Sequence, residues 1–155
     1  MTDGSLPELE TVLRLLNRGL TTEFACVQRY KRHHYHYMMM ATGILAPRCA
    51  ANCLEHAAEE QLHADLLADR IVQLGGEPDL AAEQFDGNGR ARDAEATSHV
   101  DMIREDLEAE RLAIDRYAEL IRYVGDDDPI TKRLIEGILA SEEVHANHMV
   151  NLLHV

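Results

Sequence analysis

The chain has no tryptophan and two phenylalanines, and aromatics make up only 5% of its 155 residues. Its core must therefore be built mainly from Leu, Ile, Val, Ala and Met. No apolar run reaches the ~18 residues that a membrane-spanning helix needs. The N-terminus shows neither the charged nor the apolar stretch of a secretory signal, so a cytoplasmic location is expected. Three cysteines, an odd number, argue against the disulfide framework of a secreted domain. Positive charge is scarce as well: fifteen basic against twenty-eight acidic residues leave a formal charge of −13. Phosphate contacts to nucleic acid need the opposite sign, so direct DNA binding is not expected. Such a surface draws cations instead. Runs of β-branched residues are missing and helix formers dominate, which points to an all-α fold.

What is present suits a soluble globule. Hydrophobic residues at 46% and charged residues at 28% exclude a disordered chain. Residues 1–155 read as a single domain, long enough to bury roughly 68–70% of the unfolded surface.

Residues 1–7 are a polar lead-in, with Ser5-Leu6-Pro7 a helix-start signal. Leu9, Val12, Leu13, Leu16, Leu20, Phe24 and Val27 then recur at helical spacing and predict a first helix over about 8–40. Thr42-Gly43 and Pro47 mark a turn, and a second helix is expected over about 48–74, stopped by Gly75-Gly76. Residues 76–94, with Pro78 and Gly87-Asn88-Gly89, read as a long crossover with a short helix around 80–84. A third helix is expected over about 95–123. Asp128 is a natural N-cap and Pro129 a first helical residue for a fourth, running from about 130 to the end. Short, long and short connections describe two antiparallel helical hairpins joined by a crossover, the ferritin-like four-helix bundle.

Within that frame one spacing occurs twice. Glu60-Gln61-Leu62-His63 lies in the second predicted helix, and Glu142-Glu143-Val144-His145 in the fourth. At 3.6 residues per turn, Glu and His three apart point the same way. Each motif is preceded, on the earlier helix of its hairpin, by a glutamate with a tyrosine seven residues on: Glu23 with Tyr30, Glu110 with Tyr117. Any one of these glutamates alone is more simply a solvated helix face. All six in this order make a constellation in which Glu23, Glu60, His63, Glu110, Glu142 and His145 converge on two metal ions.

Charge gives the set its sense. Four buried carboxylates without a counter-ion would raise one another's pKa. Two divalent cations cancel four negative charges, and oxidation to two ferric ions could be offset by a bridging oxide or hydroxide. Carboxylate with imidazole, without thiolate, suits iron or manganese better than structural zinc. Glu60 and Glu142 are expected to bridge, Glu23 and Glu110 to be terminal, and each histidine to hold one metal. Tyr30 and Tyr117 are expected to donate hydrogen bonds around the ligands or to supply electrons.

The residues His63-Ala64-Asp65, Arg70-Ile71, Leu74, Gly76, Pro78 and Leu80 resemble the end of the second helix of bacterioferritins. Asn17, Glu23 and Tyr30, then Asp106-Leu107 and Glu110, then Ile138-Leu139, Glu142-Glu143 and His145 resemble its other three helices. The resemblance spans about 12–148. It implies a ferroxidase that binds two Fe(II) per subunit, oxidises them with O2 or H2O2, and stores ferric mineral in a hollow shell. Three departures matter. Gln61 stands where bacterioferritins carry a haem-ligating methionine, so haem held in that way is not expected. The stretch after His145 is too short for a completed fourth helix and a fifth. The crossover is somewhat longer than in that family. Together these resemble the bacterioferritin-related, Dps-like ferritins, some called thioferritins. That likeness implies a homo-dodecameric shell, peroxide as favoured oxidant and protection from oxidative stress.

Other features have two readings each. Cys26 and Cys53 could face one another near the centre, and thioferritins carry cysteines beside their site; buried cysteines are also ordinary small apolar fillers. The run Arg32-His33-His34-Tyr35-His36-Tyr37 with Met38, Met39 and Met40 reads as an interface or surface patch, or as a stop for iron in transit. His56 reads as a hydrogen-bonded histidine or an accessory ligand. Asp126-Asp127-Asp128 could ring a pore, although a helix N-terminus explains Asp128 fully. At the level of function, the alternatives to the ferroxidase are a DNA-protecting structural particle and another di-metal enzyme, such as a manganese catalase or an oxygenase.

Overall fold

The computed structural model describes residues 7–40, 46–81 and 98–154. Four helices account for them: α1 (Leu9–Met40), α2 (Ala46–Gln73), α3 (His99–Val124) and α4 (Pro129–Leu153). α1 packs on α2 and α3 on α4, and the two hairpins meet mainly where α1 lies along α3. These are the expected hairpins of a ferritin-like bundle. Most of the crossover and the expected short helix around 80–84 lie outside the described residues; Leu80 and Ala81 are not helical.

The helix ends follow local chemistry. α2 starts at Ala46, slightly earlier than expected, with Pro47 inside its first turn. Proline is tolerated there because that N–H has no partner within the helix. The expected start of the third helix at 95 is corrected to His99. Ser98 is extended, at φ −115° and ψ 152°, and its hydroxyl accepts from Asp101 N, so it caps the helix. α4 begins at Pro129 as expected, with Asp128 accepting from Thr131 N at 3.0 Å. Gly75 (φ 82°) and Gly125 (φ 55°) take the left-handed backbone that ends α2 and α3. Beyond α2, Asn17 holds the start of the crossover, donating to Glu77 O and accepting from Asp79 N.

The interior is divided lengthwise. One apolar cluster joins Leu16, Leu20, Leu67, Ile71, Leu120 and Ile135 at one end of the bundle. A second joins Tyr37, Ala50, Cys53, Met102, Leu107 and Met149 at the other. Between them the chain buries Glu23, Glu60, Glu110 and Glu142, each at most 1% exposed, together with His63 and His145. The bundle therefore has a polar waist between two greasy ends. Tyr117 belongs to the first cluster and Tyr30 to the second, and each turns its hydroxyl toward the waist. Gly19 makes room for the former: a Cβ there would stand 3.1 Å from Tyr117 Cε1.

Candidate metal centre

All six residues singled out as ligands meet at the waist, each supplied by its own helix position. Glu23 comes from α1, Glu60 and His63 from α2, Glu110 from α3, and Glu142 and His145 from α4. Both histidines turn Nδ1 inward. His63 Nδ1 lies 3.0 Å from Glu60 Oε2 and 3.2 Å from Glu142 Oε1. His145 Nδ1 lies 3.1 Å from Glu60 Oε1 and 3.2 Å from Glu142 Oε2. Glu60 and Glu142 thus each span both imidazoles, one oxygen to each. Glu23 reaches only the His63 side, at 3.8 Å, and Glu110 only the His145 side, at 3.6 Å. The donor atoms fall into two overlapping groups, Glu23-Glu60-His63-Glu142 and Glu60-Glu110-Glu142-His145. No cysteine joins either.

The tyrosines each reach across to the other hairpin. Tyr30 donates to Glu110 Oε1 and Tyr117 to Glu23 Oε1. Because α1 and α3 are antiparallel, a step from 23 to 30 on one helix matches a step from 117 to 110 on the other. Seven residues are about two turns on both, so the two contacts are related by the pseudo-twofold of the bundle.

Burial and hydrogen bonding pull the ionisable groups of the waist apart. Burial raises Glu23 and Glu110 well above the ordinary carboxylate range, and neighbouring carboxylates add to it. Burial acts the same way on Glu60 and Glu142, but hydrogen bonds from His145 and His63 outweigh it and hold both below the usual range. Burial disfavours charged imidazoles, yet the surrounding carboxylates lift His63 to about 12 and His145 far above its ordinary value. Without an ion, the site thus favours charged imidazoles beside Glu60 and Glu142 and disfavours charge on Glu23 and Glu110. Glu23 Oε2 and Glu110 Oε2 are nevertheless buried without hydrogen-bond partners. Buried polar atoms are rarely left so.

Around this centre the structure adds residues that spacing did not reveal. Glu59, one residue before Glu60 and exposed, accepts from His145 Nε2 and fixes that ring with Nδ1 inward. Arg29 and Asp106 form a buried ion pair at 2.9 Å, extended by His33, whose Nε2 lies 2.9 Å from Glu105. His33 thus belongs to an internal network, whereas Tyr35, Met38 and Met39 of the same run are exposed. Cys26 receives a hydrogen bond from Arg29 Nη1. The three cysteines are free, and burial raises all their thiols, Cys53 to about 12, so they are protonated. Asp126 pairs with Lys132 and Asp128 with Arg70. Gln61 turns along its own helix to Asp65. No helix among the described residues is long and apolar enough to cross a membrane.

Comparison with known proteins agrees with this geometry. The bacterioferritin of Desulfovibrio desulfuricans is 31% identical over 143 residues, covering 91% of this chain and 73% of the relative. A DNA protection during starvation protein of Pyrococcus furiosus is 29% identical over 152 residues, covering 94% and 78%. The D. desulfuricans bacterioferritin crystal structure, described by its diiron site in different catalytic states, superposes with a TM-score of 0.81. It is 26% identical and covers 94% of this chain and 80% of that one. The Rhodobacter capsulatus bacterioferritin structure shares the fold at a TM-score of 0.80, with 24% identity and coverage of 94% and 84%. The pattern of the ferritin-like domain matches residues 13–155, all four helices but for the first turn of α1. The chain belongs to the ferritin-like family, as a relative of bacterioferritins and of a DNA-protection-during-starvation protein.

Proposed function

We propose that the chain is a ferroxidase, a single ferritin-like domain that oxidises Fe(II) with H2O2 or O2 and keeps the ferric product in a hollow homo-oligomeric shell, dodecameric and cytoplasmic. The observation that carries this reading is the waist itself: two overlapping donor groups that share Glu60 and Glu142. Its fit to a pair of cations rests on donor chemistry and on unsatisfied atoms. The donors are carboxylate oxygen and imidazole nitrogen, the set suited to iron or manganese. Two buried carboxylate oxygens, Glu23 Oε2 and Glu110 Oε2, lack a hydrogen-bond partner in the protein, and coordination to a cation would satisfy them.

In this reading Glu60 and Glu142 bridge, Glu23 with His63 and Glu110 with His145 complete the two ends, and two Fe(II) are substrate. Each Fe(II) gives one electron, so two balance one H2O2, which takes two electrons and two protons to become two waters. The protein's part is to hold donors in place and to manage protons. Tyr30 and Tyr117, whose hydroxyls burial keeps protonated, hold Glu110 and Glu23 from the side facing each apolar cluster. Glu59 keeps the His145 ring in register. The charge of −13 draws Fe(II) toward the particle.

Kinetics of Fe(II) oxidation by the metal-free protein test this directly. Two irons oxidised per chain, fast with peroxide and slow with air, is the expected outcome, and Glu60→Ala and His145→Ala should lose it. If either variant oxidises iron as fast as the parent, the six-ligand site is wrong. Faster oxidation by O2 than by peroxide would return the protein to ordinary bacterioferritin-type storage. O2 release from peroxide would point to a catalase. The name of the Pyrococcus relative keeps a DNA-protecting particle in view, and a salt-dependent gel shift would reveal it.

A further inference from the structure

A row of imidazoles continues outward from the metal centre. His56 lies on α2 one turn before Glu60, and its ring meets that of His145 edge-on, with centroids 4.3 Å apart. On its other side His56 Nε2 comes within 3.2 Å of His148 Nδ1. His148 lies on α4, one turn after His145, and is only half-buried. The two rings line a recess together with Asn52, Cys53 and Met149.

Two nitrogens bound to one tetrahedral ion at about 2.05 Å stand roughly 3.3 Å apart. A hydrogen bond between two imidazoles gives a similar separation; the recess that both rings line is what offers an ion access to the pair. His56 is 9% exposed, and its Nδ1 is buried with no hydrogen-bond partner. That atom faces Glu59 Oε2 at 3.7 Å. An ion on Nε2 would fix the proton on Nδ1, on the ring edge that faces Glu59. At 3.7 Å that carboxylate is beyond hydrogen-bond reach; a closer approach on metal binding would give the carboxylate–histidine–metal arrangement that orients many metal-binding imidazoles.

We propose that His56 Nε2 and His148 Nδ1 form a separate, mononuclear site for a divalent transition-metal cation, with Glu59 facing the far edge of the His56 ring. Imidazole pairs suit iron, zinc, copper or nickel, and not calcium or magnesium. Two protein donors leave the remaining positions to water, so the ion is held more weakly than by either four-residue donor group of the waist. Glu59 accepts from His145 Nε2, so one carboxylate borders both this site and the buried centre. That position makes the outer site a staging point from which cations move inward. The staging role rests on the di-metal reading of the waist; the outer site itself does not.

Equilibrium dialysis against Zn(II), which has no redox chemistry of its own, counts the ions. His148→Ala is expected to bind one Zn(II) per chain fewer than the parent. Glu142→Ala should lose ions from the waist and keep the one that His148→Ala removes. Equal counts for His148→Ala and the parent would overturn the outer site. An unchanged count in Glu142→Ala would instead sink the di-metal reading and leave the outer site standing. Anomalous diffraction from zinc-loaded crystals of the parent decides without any substitution. A peak about 2 Å from both His56 Nε2 and His148 Nδ1 supports the site, and its absence there rejects it.

Discussion

Glu23 and Glu142 are both glutamates at most 1% exposed, yet their pKa values are pushed in opposite directions before any metal arrives. Burial raises Glu23 well above the ordinary carboxylate range, while hydrogen bonds from His145 and His63 hold Glu142 below it. An uncharged isostere should therefore separate them. Glu23→Gln replaces one neutral group by another, so the metal-free protein should lose less than about 1 kcal/mol while its metal count falls. Glu142→Gln removes an anion from beside two imidazolium ions and should cost about 3–5 kcal/mol, the range for breaking a buried pair. Urea melts of both metal-free variants check the contrast; equal losses would refute the charge assignment. The same charges set the pH dependence. His63 and His145 have raised folded values, so their stabilisation is complete below the unfolded value of about 6.5 and is lost as pH rises toward about 12 for His63. Glu23 and Glu110, also raised, act in the same direction from about pH 4.3 upward. Glu60 and Glu142 are depressed, and their contribution disappears only as pH falls below about 4.3. The metal-free protein should thus melt at a lower temperature at pH 8.5 than at pH 6, by calorimetry, and metal loading should narrow or reverse that difference.

At the scale of elements, each helix is fixed by its ends as much as by its stripe. Asp128 caps α4 through Thr131 N and also pairs with Arg70 of α2 at 3.1 Å. Asp128→Ala should cost about 1–2 kcal/mol, most of it from the lost cap, seen as a lower urea midpoint at unchanged slope. The helices themselves were legible from periodicity, because a stripe of Leu16, Leu20 and Phe24 leaves little else for α1 to be. The residues that meet at the waist were legible because each sits at a spacing that one helix imposes on itself. The start of α3 was not legible, since polar residues on either side of Ser98 give no stripe, and only the extended backbone there marks the cap. Nor was the crossing of the tyrosines: Tyr117 meets Glu23 through the register between α1 and α3, which no spacing within one helix contains. Glu59 escaped for the same reason, as its role depends on where α4 places His145.

The whole molecule buries its costliest groups at its centre and leaves apolar ones outside. Leu54, Leu62 and Val72 of α2, and Tyr35, Met38 and Met39 of α1, are each 48% exposed or more. Apolar surface of this extent is what contacts between copies would cover. Light scattering should give a particle of about twelve chains; a monomer would remove the storage shell while leaving the metal site open. The central claim concerns the waist, where the proposed pair of divalent cations would displace protons from groups whose pKa values are raised, His63, His145, Glu23 and Glu110. Metal binding must expel them, because ligating imidazole nitrogens and carboxylates give up their protons. An anaerobic titration of the metal-free protein with Fe(II) in a pH-stat at pH 7 measures that exchange before any oxidation begins. The first two equivalents per chain should bind with release of protons. Binding that never saturates, or that saturates without proton release, would contradict the centre described here.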